Sequence, residues 1–412
     1  MLSPGFGSHP VDRAGGPRVD LVDLIAHCVV PSGPWRAVLF DPELLDKIIT
    51  ETVARNAVEV DRTGRFPREN IDALAEAGFL GVTVPVEFGG LGLGLSAATD
   101  IVRRISRGCG STAMVVTMHF AATAVLTATG RHQILREIGA GRHLTTLAFS
   151  EFGSRSHFWA PVGTARADGD AVILDARKSW VTSAHDADSY VWSSRPLAAD
   201  GMMTLWAIRS DTAGLSVPDR FDGLGLRGND SCPVTAEGVR VAADARMGDD
   251  GAGLDLALTA VLPWFLLLNA SAGVGLMQAV VAETIKHLTG TQLAHLHQSL
   301  AQQLPSRTKL ATMQIETDRT RALVEDAVAA VEAGRGDAGL LVLEVKAAAD
   351  TSAATVADLA MAACGGAAFR KELGIERRFR DSRAARVMAP TTDALLDFVA
   401  RAMCDLPLLD PQ

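Results

Sequence analysis

The sequence has no lysine- or arginine-rich block, no pair of closely spaced cysteines and few aromatic side chains, with Tyr190 its single tyrosine. Each shortage narrows the function. A formal net charge of −9 with no basic cluster argues against a nucleic-acid partner, because phosphate binding needs a concentrated positive footprint. Cys28, Cys109, Cys232, Cys364 and Cys404 are scattered, with no CxxC or other metal-ligand spacing. They read as reduced thiols of a cytoplasmic protein, and no metal site is expected. The N-terminus lacks a basic segment leading into an apolar run and a cleavage site, so no export signal is expected.

The chain is long and apolar: 412 residues, 48% hydrophobic and 21% charged. That is enough for two or three domains, or one large multi-segment fold with an extensive core. The run Leu256–Ala282 carries no charged residue and has the length of a bilayer span. Pro263, Asn269, Ser271 and Gln278 interrupt it, and no basic cluster flanks it. The expectation is a buried helix at the centre of a bundle, with no membrane partner.

The hydrophobic period changes twice along the chain. Residues 1–40 form an extension without clear period, with a short helix expected around "VDLVDLIAHCVV". From Asp41, a candidate N-cap, apolar residues recur at three- and four-residue intervals to about residue 142. Residues 143–250 break into short β-rich runs with turn signals between them, Asp168-Gly169 among them. From 251 to the end the pattern is helical again. The order helix, β, helix predicts an α+β protein in which a small β-domain is clasped between two helical domains. A cleft where the three meet is the natural home of a cofactor.

Five stretches carry a resemblance to a known family. They are "VPVEFGGLGL" (Val84–Leu93), "SEFGSRSH" (Ser150–His157), "KSWVTSA" (Lys178–Ala184), "LGLRGNDS" with "EGVRVAADARMG", and "CGGAAF…ERRFRDSR". Their order and spacing resemble the acyl-CoA dehydrogenase superfamily over residues 41–403. The resemblance implies an N-terminal helical domain, a middle β-barrel-like domain and a C-terminal helical bundle. It also implies FAD and a homodimer or homotetramer. By the same resemblance Trp180 packs against the flavin and Thr182 donates to its N5 edge. Phe149 and Ser150 contact its pyrimidine side, and Ser156 contacts the cofactor or substrate tail. Gly365, Gly366 and Thr391 match further cofactor-side positions.

The chain also departs from the family. The glutamate that removes the proton α to a thioester carbonyl aligns with Ala389, which cannot accept a proton. The alternative base position, on the long central helix, aligns with Phe265. The motif that reaches the adenosine pyrophosphate reads Lys286-His287-Leu288-Thr289-Gly290, with Arg307 as a candidate substitute contact. A glutamine before the double glycine is replaced by Ala362. His119 and His157 are the candidate catalytic groups, since an imidazole titrates near neutral pH. A histidine on an apolar helix more often satisfies a core hydrogen bond. Asp393 is the acid nearest to residue 389, and it reads first as a solvated acid in the first turn of a helix.

Three functions remain open on the sequence. One is dehydrogenation of an acyl thioester or related hydrophobic molecule with a non-standard base, passing electrons to an electron-transfer flavoprotein. The second is flavin-dependent monooxygenation fed by a flavin reductase, in a dry cavity lined by Phe149, Phe152, Trp159 and Phe265. The third is a non-redox use of the same cavity.

Overall fold

The computed structural model describes residues 41–155, 157–218 and 220–409, in three successive units. The helix expected near residues 19–30 lies outside the described residues, as does Ser156.

The first unit is helical. Asp41 caps α1 (Pro42–Ile48), its carboxylate accepting from the backbone N–H of Glu43 and Leu44 at 3.0 Å each, so two orphan donors of the first turn are satisfied. A π-turn, Ile49–Val53, joins α1 to α2 (Ala54–Thr63), which ends at Gly64 in the left-handed conformation. Then come α3 (Arg68–Glu76), α4 (Leu95–Gly108), α5 (Gly110–Ala128) and α6 (His132–Gly139). α5 is buried on nearly every side, which is why its sequence shows no polar face.

The middle unit holds two four-stranded sheets rather than one closed barrel. Its strands are β1 (Thr145–Ala148), β2 (Thr164–Asp168), β3 (Ala171–Val181), β4 (Ser189–Ser194), β5 (Thr204–Arg209), β6 (Leu215–Ser216), β7 (Cys232–Ala242) and β8 (Arg246–Met247). The orders are β1-β4-β5-β8 and β2-β3-β7-β6, with β1 and β4 parallel and the other pairs antiparallel. Leu174, Tyr190, Trp192, Trp206 and Val234 belong to the core that both sheets share. The hairpin between β2 and β3 turns at Gly169-Asp170, since Asp168 already pairs with Ala171, and Gly169 takes φ 64°. Glycine adopts that angle without strain.

The third unit is a helical bundle: α7 (Gly253–Leu256), α8 (Leu262–Gly290), α9 (Leu304–Ala333), α10 (Ala338–Cys364), α11 (Ile375–Asp381), α12 (Ala384–Val387) and α13 (Thr392–Met403). A π-turn, Ala257–Val261, links α7 to α8. Pro263 lacks the N–H that would close an ordinary helical turn here. The stretches Gly110–Ala128 and Gly253–Gly290 are both long and apolar enough to cross a membrane, and 78% of each apolar window is buried inside the protein. Lys286–Gly290 forms the last turn of α8. The chain then makes a small hairpin, β9 (Gln292–Leu293) with β10 (Gln298–Ser299), and the Arg307 guanidinium donates to the carbonyls of Ala301 and Gln302.

One loop ties the three units together. Residues 222–230 of the middle unit are held by α2, α5 and α11. Arg227 Nε donates to the Asp61 carbonyl at 2.9 Å, and Arg380 donates to both Asp61 carboxylate oxygens (2.8 and 2.6 Å) and to the Leu224 carbonyl (3.0 Å). The Leu226 N–H donates to Asp381 Oδ1 at 2.7 Å, and the Gly228 N–H to Ser111 Oγ at 3.1 Å.

Candidate active site

An open pocket lies where the three units meet. α5 contributes Met118, and the end of β1 contributes Leu147, Phe149 and Ser150. The following loop gives Phe158, and β3 gives Ser179 and Trp180. The π-turn and the start of α8 supply Ala257, Val261, Leu262 and Phe265, and Ala389 with Pro390 closes the wall before α13. Residues 389 and 265, the two positions that the resemblance aligns with a base, therefore face one cavity. Among the described residues that line it, none is an acid, a histidine, a lysine or an arginine.

Trp180 owes its place to a bulge. Between the paired positions Lys178–Val234 and Val181–Cys232, β3 has two residues where β7 has only Pro233, which has no N–H to offer the ladder. Trp180 adopts φ 58° and is 70% exposed, whereas Ser179 and Val181 beside it are buried. The bulge turns a large indole outward at the pocket, with the Phe221 ring edge-on at 6.5 Å. A bared indole next to Phe149 and Ser150 fits a planar ring that covers it, and this is the isoalloxazine the resemblance implies. Thr182, two residues on, is buried and shares a 3.2 Å hydrogen bond with Ser231 Oγ.

The two candidate histidines are elsewhere. His119 is completely buried on α5, where Nε2 donates to the Leu80 carbonyl (3.1 Å) and Nδ1 accepts from the Thr145 N–H (3.2 Å). Both ring nitrogens are spent on backbone, so it joins α5 to β1 and is not a pocket base. Burial lowers its pKa from 6.5 to about 4. The folded chain thus binds this proton only near pH 4, while the unfolded chain binds it from about 6.5. Protons favour the unfolded state in that window. Stability should therefore fall as pH drops from 6.5 to 4, by up to about 3 kcal/mol from this group. Urea titrations across that window should show the decline, and His119→Gln should flatten it. His157 is exposed, its ring 5.0 Å from Trp159, and does not line the pocket.

Other expectations also move. Phe152 is 53% exposed under the Arg177 guanidinium, and Trp159 packs on Phe398; Phe158 takes the place in the wall that these two were expected to share. Gly365 and Gly366 form an exposed turn after α10, outside the pocket. Thr391 caps α13, its Oγ1 accepting from the Ala394 N–H. Asp393 is exposed in that helix's first turn. His185, Asp230 and Cys232 bring a nitrogen, an oxygen and a sulfur within 4.8 Å of one another, and Asp230 Oδ1 is hydrogen-bonded to both of the others.

Two buried ion pairs stand behind the pocket walls. Lys178 Nζ donates to Glu151 Oε1 (2.5 Å) and to the carbonyl and Oγ of Ser193 (2.7 and 2.8 Å). Glu151 Oε2 accepts from the N–H groups of Val162 and Gly163 (2.6 and 2.7 Å), gathering the loop that carries Phe158. Desolvation lowers the Lys178 pKa to about 8 against the pull of Glu151. Lys346 Nζ donates to Asp350 Oδ2 (2.8 Å) and to the carbonyls of Ala385 (2.8 Å) and Pro390 (3.2 Å), fixing the segment that presents Ala389; burial lowers its pKa too. Glu151 and Lys178 both sit inside the quoted motifs, which is the signal that marks them. Ser193 and Asp350 have no such signal.

Sequence profiles match three stretches in order: "Acyl-CoA dehydrogenase, N-terminal domain" over residues 43–138, "middle domain" over 146–239 and "C-terminal domain" over 251–404. Among characterised relatives, the short-chain specific acyl-CoA dehydrogenase of Bos taurus mitochondria is 27% identical over 345 residues, 82% of each chain. The 3-(aryl)acrylate reductase of Clostridium sporogenes is 27% identical over 345 residues, 82% of this chain and 90% of that one. Among solved structures, butyryl-CoA dehydrogenase from Megasphaera elsdenii superposes with a TM-score of 0.82 at 18% identity, covering 95% of this chain and all of that one.

Proposed function

The chain belongs to the acyl-CoA dehydrogenase superfamily, and on that premise we propose that it is an oxidoreductase for an apolar acyl thioester, or a compound like it, that works without a side-chain base in its pocket. FAD is the family's cofactor, and when bound it supplies a two-electron acceptor or donor. In this chain Trp180, Phe149 and Ser150 offer it a platform and rim. Leu147, Phe158, Val261, Leu262 and Phe265 exclude water from the substrate's carbon chain. The electron partner proposed is of the electron-transferring flavoprotein kind.

The observation that carries this reading is the wall at Ala389 and Phe265. Oxidising a thioester across its α and β carbons requires the α proton to leave, and no lining side chain can take it. The proton therefore passes to hydroxide. We expect anaerobic bleaching of the FAD-loaded protein by saturated acyl-CoAs to accelerate about tenfold per pH unit. A rate that levels off in the carboxylate or histidine range would show a base in the pocket and overturn the proposal.

The same absence favours a second reading, monooxygenation. One atom of dioxygen would go to the substrate and the other to water, with two electrons from a partner reductase. A dry pocket without acids suits that chemistry. Thioesters that leave the flavin band unchanged, together with substrate-dependent oxygen uptake by the chemically reduced protein, would select it.

A further inference from the structure

A second cavity lies along the same elements. α5 gives Met118 to the pocket and Met114 to the cavity, α8 gives Phe265 and Asn269, and the C-terminal segment gives Ala389 and Ala385. Four residues along a helix is a step of about 6 Å, so the cavity sits about one turn beyond the pocket floor. Met388, between Ala385 and Ala389 in the chain, has its sulfur 3.7 Å from Asn269 Nδ2.

Most of the cavity lining is apolar, and its polar residues include three acceptors, Asn269, Asp350 and Asp381. Asn269 is 2% exposed, and its Oδ1 has no hydrogen-bond partner. Asp381 is buried there, accepting from the Leu226 N–H, and burial pushes its carboxyl above the usual range. Asp350 Oδ2 is already taken by Lys346 and Thr392. A buried acceptor without a partner calls for a donor. An unbranched alkyl tail offers none.

We propose that this cavity is a substrate subsite that receives the far end of an acyl tail bearing a hydrogen-bond donor, a hydroxyl or an ammonium, which donates to Asn269 Oδ1. The proposal rests on the acyl-substrate reading of the pocket. Met388, an unbranched and adaptable side chain, moves aside to join the two spaces. The substrate class is thus an ω-hydroxy or ω-amino acyl group. A pocket built to hydrogen-bond a substrate group discriminates against the analogue that lacks it.

The test compares matched CoA thioesters of roughly six to eight carbons, a reach set by the one-turn step. The alkyl, ω-hydroxy and ω-amino members are titrated into the FAD-loaded protein, and binding is read from the perturbed visible band. The donor-bearing thioesters should bind about three- to tenfold tighter than the alkyl ones. Asn269→Leu should erase that preference while alkyl thioesters bind at least as well. Asn269→Asp, which keeps an acceptor, should retain it. Equal or better binding of the alkyl series by the natural chain, or a preference that survives Asn269→Leu, overturns the subsite and leaves the proposed function standing. Failure of every thioester to bind removes both.

Discussion

Ala389→Glu should raise the rate at which saturated acyl-CoAs bleach the bound flavin by about 10²- to 10⁴-fold, the usual contribution of a positioned general base. The position is built for the side chain it lacks. Ala389 lines the pocket and is only partly buried, so a longer side chain has room. Its backbone is fixed from behind by the Lys346 bonds to Ala385 and Pro390. A carboxylate among Leu262, Phe265 and Pro390 would have its pKa raised by desolvation, toward neutral pH, where a base for carbon acids is most effective. Anaerobic stopped-flow absorbance measures the gain. The pH profile should change with it, from a continuous climb to a curve that levels above the new carboxyl's pKa. Ala389→Gln, of similar size and unable to accept the proton, should leave the rate where it was. A glutamate variant that keeps its FAD and gains nothing would show that residue 389 does not face the reacting carbon.

Lys178→Met should cost about 3–5 kcal/mol of stability, the usual effect of removing one partner of a buried ion pair. The lysine side chain has no exposure and that of Glu151 2%, so the stranded carboxylate finds no water to replace the ammonium. The damage should reach the cofactor, because Glu151 also gathers the N–H groups of Val162 and Gly163, and β3 carries Trp180 two residues after Lys178. Urea denaturation of the FAD-free protein gives the first effect, and equilibrium FAD titration gives the second as weakened binding. Adding Glu151→Gln to the Lys178→Met chain should recover much of the stability, since a neutral amide tolerates burial beside a thioether side chain better than a carboxylate does. A double variant no better than the single one would place the cost in packing around Trp192, whose ring lies 4.9 Å from the ammonium.

Much of this is legible in the chain, and the residues show why. The change of period from helix to strand and back follows from burial on one face, which any sequence must write into its hydrophobic spacing. The K-x-W stretch marks Trp180, which lines the pocket because a bulge and its outward residue are local. Positions 265 and 389 each read as baseless from their own surroundings, and the fold brings them to one wall. Partners far apart in sequence are not legible. Nothing in "TMHFAATAV" says that both nitrogens of His119 are taken by Leu80 and Thr145. The reach of Lys178 to Ser193, or of Lys346 to Pro390, exists only after folding. Asn269 does leave a trace, as a polar residue interrupting an uncharged run. That run explains its own burial without revealing that an acceptor within it would stay unsatisfied.

The loop at residues 222–230 has a consequence for how such a protein can be recombined. The Asp61 carbonyl from the first unit accepts from the Arg227 side chain of the second, and Arg380 and Asp381 from the third hold the backbone of Leu224 and Leu226. Exchanging any one third of the chain with that of a relative cuts this three-way grip unless those residues travel together. A chimera that respected every domain boundary but not this loop would lose the bonds that hold its three units to one another.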